Sequence, residues 1–352
     1  MHLQAASRFA LALLLLPAVA PAQDYIPVIP NLDRVAEGLR YDDIIQVVRL
    51  DGTIQELVRC GTPSRSPGIE AFGPQGALGG SVADCDGSTN PDPIYDPGTS
   101  YLIDVWVHVI RNGAGTAGDI PVAEIYEQIA VLNEDYRGIP LSIGDPGADG
   151  RLFFRLLGYD YTNNTTWYND TPPYGYTSLA VTPAQVLNIY TNSAGGFLGY
   201  VPFLPYEPGA PIGTATDRVV ILSEALGRDR DPNPDNPYDL GRTTTHEVGH
   251  YFNLEHTFNG SCANATSPGC FSNGDLICDT PPELDMTFGC PAGQDSCLGQ
   301  PGPDPIENYM DYTDDICMNN FTLQQMRRIR CTIENYRTQL FQPVLFYEDF
   351  ET

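Results

Sequence analysis

Basic side chains are scarce in this 352-residue chain: 18 Lys and Arg stand against 45 Asp and Glu, a net charge of −27. So acidic a surface argues against nucleic acid and anionic membrane as partners. It suits a soluble extracellular protein, calcium sites and cationic substrates, although plain solvation accounts for most of these charges. Long apolar runs are also missing. The one pronounced run, Phe9 to Val19, is too short to span a bilayer, and none of spanning length follows. Arg8 precedes it and Ala20-Pro21-Ala22 offers a small-residue cleavage site, so residues 1–22 read as a signal peptide and the mature chain as starting near Gln23. An uncleaved anchor is the weaker alternative. Histidine is rare too, with five in all and four after the signal. No internal repeat is visible.

All nine cysteines follow the signal, and seven of them lie between Cys262 and Cys331. In an exported chain that density reads as disulfides, and an odd total leaves one thiol to explain.

The roughly 330 remaining residues can fill one large core or two modest ones. Residues 23–58 read as a small pro-region, with two short apolar runs around Asp51-Gly52 that predict a hairpin. Residues 61–99, rich in Gly, Pro, Ser and Asp, read as an exposed linker. A globular domain then runs from 100 to 341, with a tail at 342–352. Within it, strands are predicted at Tyr101–Ile110, Arg151–Leu157 and Arg218–Leu222, and helices at Pro121–Tyr136, Pro183–Thr191 and Thr243–Phe252. Residues 257–320 show no sustained periodicity and carry six cysteines, so they should be irregular and stapled. Thr322-Leu323-Gln324-Gln325 matches a capping box opening a last helix to about Leu340.

The sharpest signal is His246-Glu247-Val248-Gly249-His250-Tyr251-Phe252-Asn253-Leu254-Glu255-His256. Helical positions four apart share a face, so His246 and His250 can offer imidazoles to one ion. Glu247 can reach a water on that ion. A sharp turn must return His256 as third ligand, and Asn253 at the turn tolerates left-handed backbone better than most residues. Three neutral imidazoles leave Zn²⁺ an open position for a water, whose pKa falls towards ~7 and whose proton a carboxylate can take. Two plainer readings compete. The histidines could be ordinary satisfied groups, and Thr244 to Glu247 also matches a capping box that would make Glu247 structural. Three of the four mature histidines falling in one motif favours zinc.

This segment resembles the zinc signature of metzincin peptidases, with Asn253 where those have Gly. Glu307-Asn308-Tyr309-Met310-Asp311-Tyr312 fits their downstream methionine turn. Together with His256-Thr257-Phe258 and Cys317-Met318 to Gln325, the motifs resemble the pappalysin-like family over roughly residues 100–340. The resemblance implies an α+β fold. A twisted mixed sheet, an active-site helix and an irregular disulfide-bonded C-terminal subdomain holding the methionine turn would make it up. It implies Met310 as an apolar floor and Tyr312 as a phenol donor to developing oxyanion charge. It also implies a pro-segment whose cysteine caps the zinc, for which Arg59-Cys60-Gly61-Thr62 is the candidate. Cys60 would then be the unpaired ninth thiol, although a local Cys60–Cys85 disulfide competes. From the resemblance come the pairings Cys262–Cys290 and Cys297–Cys317, with Cys270–Cys278 as a local pair. Calcium is implied near Asn273, Asp275, Asp279, Thr280, Glu283 and Asp285, where a solvated acidic loop reads as well. Asp311, Asp314 and Asp315 would shape an acidic pocket that prefers Arg or Lys after the scissile bond.

The expectation is therefore a secreted zinc endopeptidase, made latent and acting on protein or peptide substrates. Hydrolysis would run through zinc-bound water, with Glu247 as general base. A non-catalytic secreted binding or matrix protein with a zincin shell is the alternative, and a zinc hydrolase of non-peptide amides a second one.

Overall fold

The computed structural model describes residues 44–48, 54–63, 85, 92–142, 144–228, 236–260, 262, 270 and 274–344. All belong to the unit Asp42–Thr352. The predicted signal peptide, and Asn273 of the proposed calcium loop, lie outside the described residues.

The core is an eight-stranded mixed sheet. Its centre is β3, Ser100–Arg111, flanked in parallel by β4, Leu152–Asn163, and β5, Val186–Asn192. Ile103, Val105, Val107 and Val109 on one face and Leu102, Asp104, His108 and Ile110 on the other are buried, as in a strand covered on both faces. Each such apolar side chain contributes about 1.5–3 kcal/mol by leaving water. Gly158 on β4 sits where the register shifts beside Trp106, and a Cβ there would meet that indole at 2.5 Å.

The helix predicted at Pro183–Thr191 is not formed. Val186–Asn192 is instead β5, with every residue buried, between β3 and β7, Val219–Leu222. A strand buried on both faces loses its polar–apolar alternation, so periodicity alone does not separate it from a buried helix. The predicted hairpin is present as β1, Ile44–Val48, antiparallel to β2, Ile54–Cys60. It is not a separate module, because β2 joins the sheet by pairing in parallel with β6, Phe197–Tyr200, itself antiparallel to β7.

Helix α1, Val122–Asp135, buries Ile125, Ile129 and Leu132, the face its sequence marks. Helix α2, Arg242–Tyr251, is buried on every side. Helix α3, Leu323–Asn335, opens on the predicted Thr322–Gln325 capping box. It stops five residues before Leu340. The chain then enters β8, Phe341–Val344, antiparallel to β3, so the expected boundary between domain and tail falls inside a strand.

Between Phe252 and Thr322 the described residues hold no regular helix or strand beyond an isolated bridge between Asn308 and Asn320. Disulfides staple this region, and two expected pairings are corrected. Cys262 bonds Cys297, not Cys290, and Cys290 bonds Cys317, not Cys297. The local geometry explains the exchange. Asp314 donates its backbone N–H to Gly289 O at 3.2 Å, which brings residue 290 beside 317, while Asp304 holds the Ser296 backbone and hydroxyl at 2.9 and 2.7 Å, away from it. The local pair Cys270–Cys278 is formed. Cys85 bonds Cys331 of α3 across 246 residues, so it is no partner for Cys60, which is a free, buried thiol.

Candidate metal centre and catalytic cleft

Helix α2 begins at Gly241, whose φ of 81° is open to glycine at little cost. No side chain of its own caps it, so the Thr244–Glu247 capping box is not formed. The cap comes from a distance: Asp315 Oδ2 accepts the N–H groups of Leu240 and Arg242 at 3.0 and 3.1 Å. A carboxylate there satisfies orphan donors and matches the helix dipole. At the other end the chain reverses through Asn253, φ 75°, and Leu254 donates its N–H to Gly249 O.

That reversal brings the three histidines together. His250 Nε2 lies 3.1 Å from His246 Nε2 and 3.0 Å from His256 Nε2. His246 Nδ1 donates to Tyr309 O and His250 Nδ1 to Leu254 O, both at 2.7 Å. With Nδ1 protonated, the two Nε2 atoms present lone pairs to each other at near contact, which is stable only around a cation. Tetrahedral zinc with bonds of about 2.0–2.1 Å would space its nitrogens by about 3.3 Å. Burial holds all three imidazoles below their usual range, His250 at about 4, so they are neutral donors at physiological pH. His256 differs in its second nitrogen. Among the described residues Nδ1 has no hydrogen-bond partner, and the ring is held by stacking on Phe258 and by the edge of Tyr312, with centroids at 4.8 and 5.0 Å.

The fourth corner is Cys60, whose Sγ falls with the three imidazole nitrogens inside a 4.8 Å cluster. Gly61 lets this stretch of backbone through, because a Cβ would meet the Phe197 ring at 2.7 Å. Gly61 N then donates to Gly199 O at 2.9 Å, continuing the β2–β6 ladder. Burial first, and then the negative charge of Glu247, push the metal-free Cys60 thiol up. Glu247 is itself wholly buried, and its carboxyl is raised to about 8 by that burial. Its Oε2 accepts from Thr62 Oγ1 at 2.9 Å, and Thr62 Oγ1 also accepts from Val201 N at 2.8 Å. Gly199 makes room for the carboxylate, since a Cβ there would lie 2.6 Å from Glu247 Cγ.

Met310 lies wholly buried beneath the helix, with Sδ 2.5 Å from where a Cβ on Gly249 would be. Tyr312 packs its ring against His246 and His256, with centroids at 5.9 and 5.0 Å.

Residues 231–334 match the family described as pregnancy-associated plasma protein-A, peptidase M43. An extracellular metalloprotease of Pyricularia oryzae is 34% identical over 284 residues, 79% of this chain and 89% of the relative. One from Colletotrichum graminicola is 36% identical over 241 residues, covering 68% and 78%. Among solved structures, promirolysin from Tannerella forsythia matches 70% of this chain and 87% of its own at 30% identity, TM-score 0.56. Mature mirolysin in complex with a cleaved peptide matches 70% and 100% at 31% identity, TM-score 0.54. The chain belongs to this metzincin family of metalloproteases. With its histidine cluster, that membership implies zinc.

Two residues at this metalloprotease site have partners for which the sequence carried no signal. Asp135 at the end of α1 accepts from Thr245 Oγ1 at 2.6 Å and from Tyr309 OH at 2.8 Å, and pairs with Arg242 at 3.2 Å. It thereby joins α2 to the methionine turn whose Tyr309 carbonyl holds His246. Burial outweighs Arg242 and raises the Asp135 carboxyl to about 6. Arg59 is the other: wholly buried, it donates to Thr243 Oγ1 at 2.8 Å and Asp315 Oδ1 at 3.2 Å, and stacks over Tyr238. Of the three aspartates expected to form an acidic pocket, only Asp315 meets it in this way. Asp311 Oδ1 accepts from Thr287 N.

Three of the proposed calcium ligands, Asp275, Asp279 and Glu283, accept from protein donors. Asp275 accepts from Thr280 Oγ1 at 2.5 Å, Asp279 from Gln324 N, and Glu283 from Thr257 and Thr287 hydroxyls. Among the described residues, the histidine–Cys60 cluster is the one group of three or more such ligands that converges.

Proposed function

We propose that the chain is a secreted zinc endopeptidase made as a latent precursor, with His246, His250 and His256 as ligands and Cys60 as the latency cap. The convergence of three neutral Nε2 atoms and one sulfur beside a buried carboxylate carries this reading. Zinc, when bound, would polarise a carbonyl and acidify a water. Glu247 would take that water's proton and return it to the leaving amine. Thr62 and Cys60 occupy this carboxylate's surroundings in the precursor, which supports latency by exclusion of substrate. Tyr312, against two ligand rings, would donate to the oxygen that gains charge. Arg59 in its pocket supports a preference for Arg on the far side of the scissile bond, set by Asp315.

The test is zinc content beside casein cleavage by the processed protein. One zinc per chain is expected, with cleavage lost in Glu247→Ala and zinc retained. Equal inertness of wild type and variant across a broad peptide library would favour the binding-protein reading instead.

A further inference from the structure

The first two imidazoles are aimed by Nδ1–H bonds to carbonyls, whereas the third has none among the described residues. Its position therefore depends on the backbone between His250 and His256. Two buried polar residues there, Asn253 and Glu255, reach outward to the same neighbour. Asn253 Oδ1 accepts from Tyr206 N at 3.3 Å, and Glu255 Oε1 accepts from Tyr206 OH at 2.8 Å. Asn253 Nδ2 donates to the carbonyl of Cys85. Cys85 is wholly buried, disulfide-bonded to Cys331 and packed with Tyr95 against α3. One carboxamide thus joins the turn before the third ligand to the loop after β6 and to the covalently anchored Cys85.

We propose that Asn253 is a positioning residue for His256, and that the Cys85–Cys331 disulfide is the anchor it works against. Cys85 is then a working part of the metal site, not of the removable pro-region. This rests on the zinc reading above. A simple backbone argument gives the opposite sign, because glycine at 253 would relieve the positive φ.

The experiment uses the full chain with Cys60→Ala, so that only histidines hold the metal. Zinc release to 4-(2-pyridylazo)resorcinol is timed, and the visible bands of the cobalt-substituted protein are recorded. Asn253→Gly should speed release about tenfold, the scale of lost outer contacts at metal sites, and shift the cobalt bands. Cys85→Ser with Cys331→Ser should do likewise, and Asn253→Gly added to that pair should change release less than twofold. Parental release and bands in Asn253→Gly, or additive effects of the two changes, would overturn the proposal. If the serine pair does not fold, Asn253→Asp decides: it keeps the acceptor for Tyr206 but turns an oxygen on Cys85 O, so it should match the glycine variant, and parental release would refute it. His246→Ala separates the two readings. Retained zinc there sinks the metal centre itself, whereas zinc lost there but held in Asn253→Gly sinks only this inference.

Discussion

Arg59 and Asp315 form an ion pair with both side chains wholly buried, Nη2 to Oδ1 at 3.2 Å. The carboxylate serves two masters, since its other oxygen caps the helix that carries His246 and His250. The guanidinium adds Thr243 Oγ1 and the face of Tyr238. Removing one partner of a buried pair costs about 3–5 kcal/mol, chiefly by stranding the other charge. Asp315 keeps its two backbone donors without Arg59, so the loss should fall on docking of the proposed pro-segment. Arg59→Ala should therefore leave the processed enzyme unchanged and raise peptidase activity of the unprocessed precursor at least tenfold. A fluorogenic peptide assay on uncleaved protein reads this out, and a silent precursor would speak against it.

The same pocket sets a specificity expectation. If Arg59 occupies the place of a substrate side chain, Asp315→Asn should lower kcat/KM for cleavage before Arg by tenfold or more relative to cleavage before Leu. Asparagine retains an oxygen for one cap but loses the charge. A peptide library with equal losses for both residues would assign Asp315 to helix capping alone.

Cys60→Ala addresses latency by a second route. A thiolate is a strong zinc ligand and would fill the place a water needs. The variant precursor should be active without processing, and a precursor as silent as wild type would remove the thiol from the latency mechanism.

The proposed ligands and general base were legible because their spacing is local: four residues along a helix, then a turn. So was the capping box at Thr322, whose two halves lie three residues apart. The distant partners of Arg59, Asp135 and Asn253 were not, because Thr243, Thr245 and Cys85 lie 184, 110 and 168 residues away from them. A buried arginine or aspartate looks in sequence like any surface charge. The β5 error has a related cause: Val186–Asn192 is fully covered, so no period distinguishes its two faces. The disulfide exchange was illegible because loop hydrogen bonds, not spacing, decide which cysteines meet.

Acid should destabilise the metal-free chain through its histidines. All three have depressed folded-state pKa values, His250 about 4, against about 6.5 unfolded. Below pH 6.5 the unfolded chain binds protons that the folded chain refuses, so stability is present above 6.5 and falls as pH drops towards 4. Asp135, Glu283 and Glu247, raised to about 6, 7 and 8, act in the opposite direction over much of that window. The difference between wild type and His250→Gln isolates the imidazole contribution. Melting temperatures of zinc-free protein should fall more steeply from pH 6.5 to 4 in wild type than in the variant, and parallel curves would deny the linkage.

The contact between Gly249 and Met310 supports a test in which two ordinary expectations conflict. Alanine is favoured over glycine inside a helix by about 1 kcal/mol, so Gly249→Ala should stabilise α2 on propensity alone. Packing says otherwise: the new Cβ would sit 2.5 Å from Met310 Sδ and 3.4 Å from its Cε, with both residues buried. Overpacking a filled core costs about 1–3 kcal/mol, so the net effect should be destabilising. Met310→Ala alone opens a cavity, at about 2–5 kcal/mol. Into that cavity the alanine methyl fits, so Gly249→Ala in the Met310→Ala background should be neutral or stabilising. The reversal of sign between backgrounds, read from urea unfolding of the four proteins, distinguishes steric contact from a backbone need for glycine. A loss of equal size in both backgrounds would mean that α2 requires glycine for its own sake and that the methionine is not what presses on it.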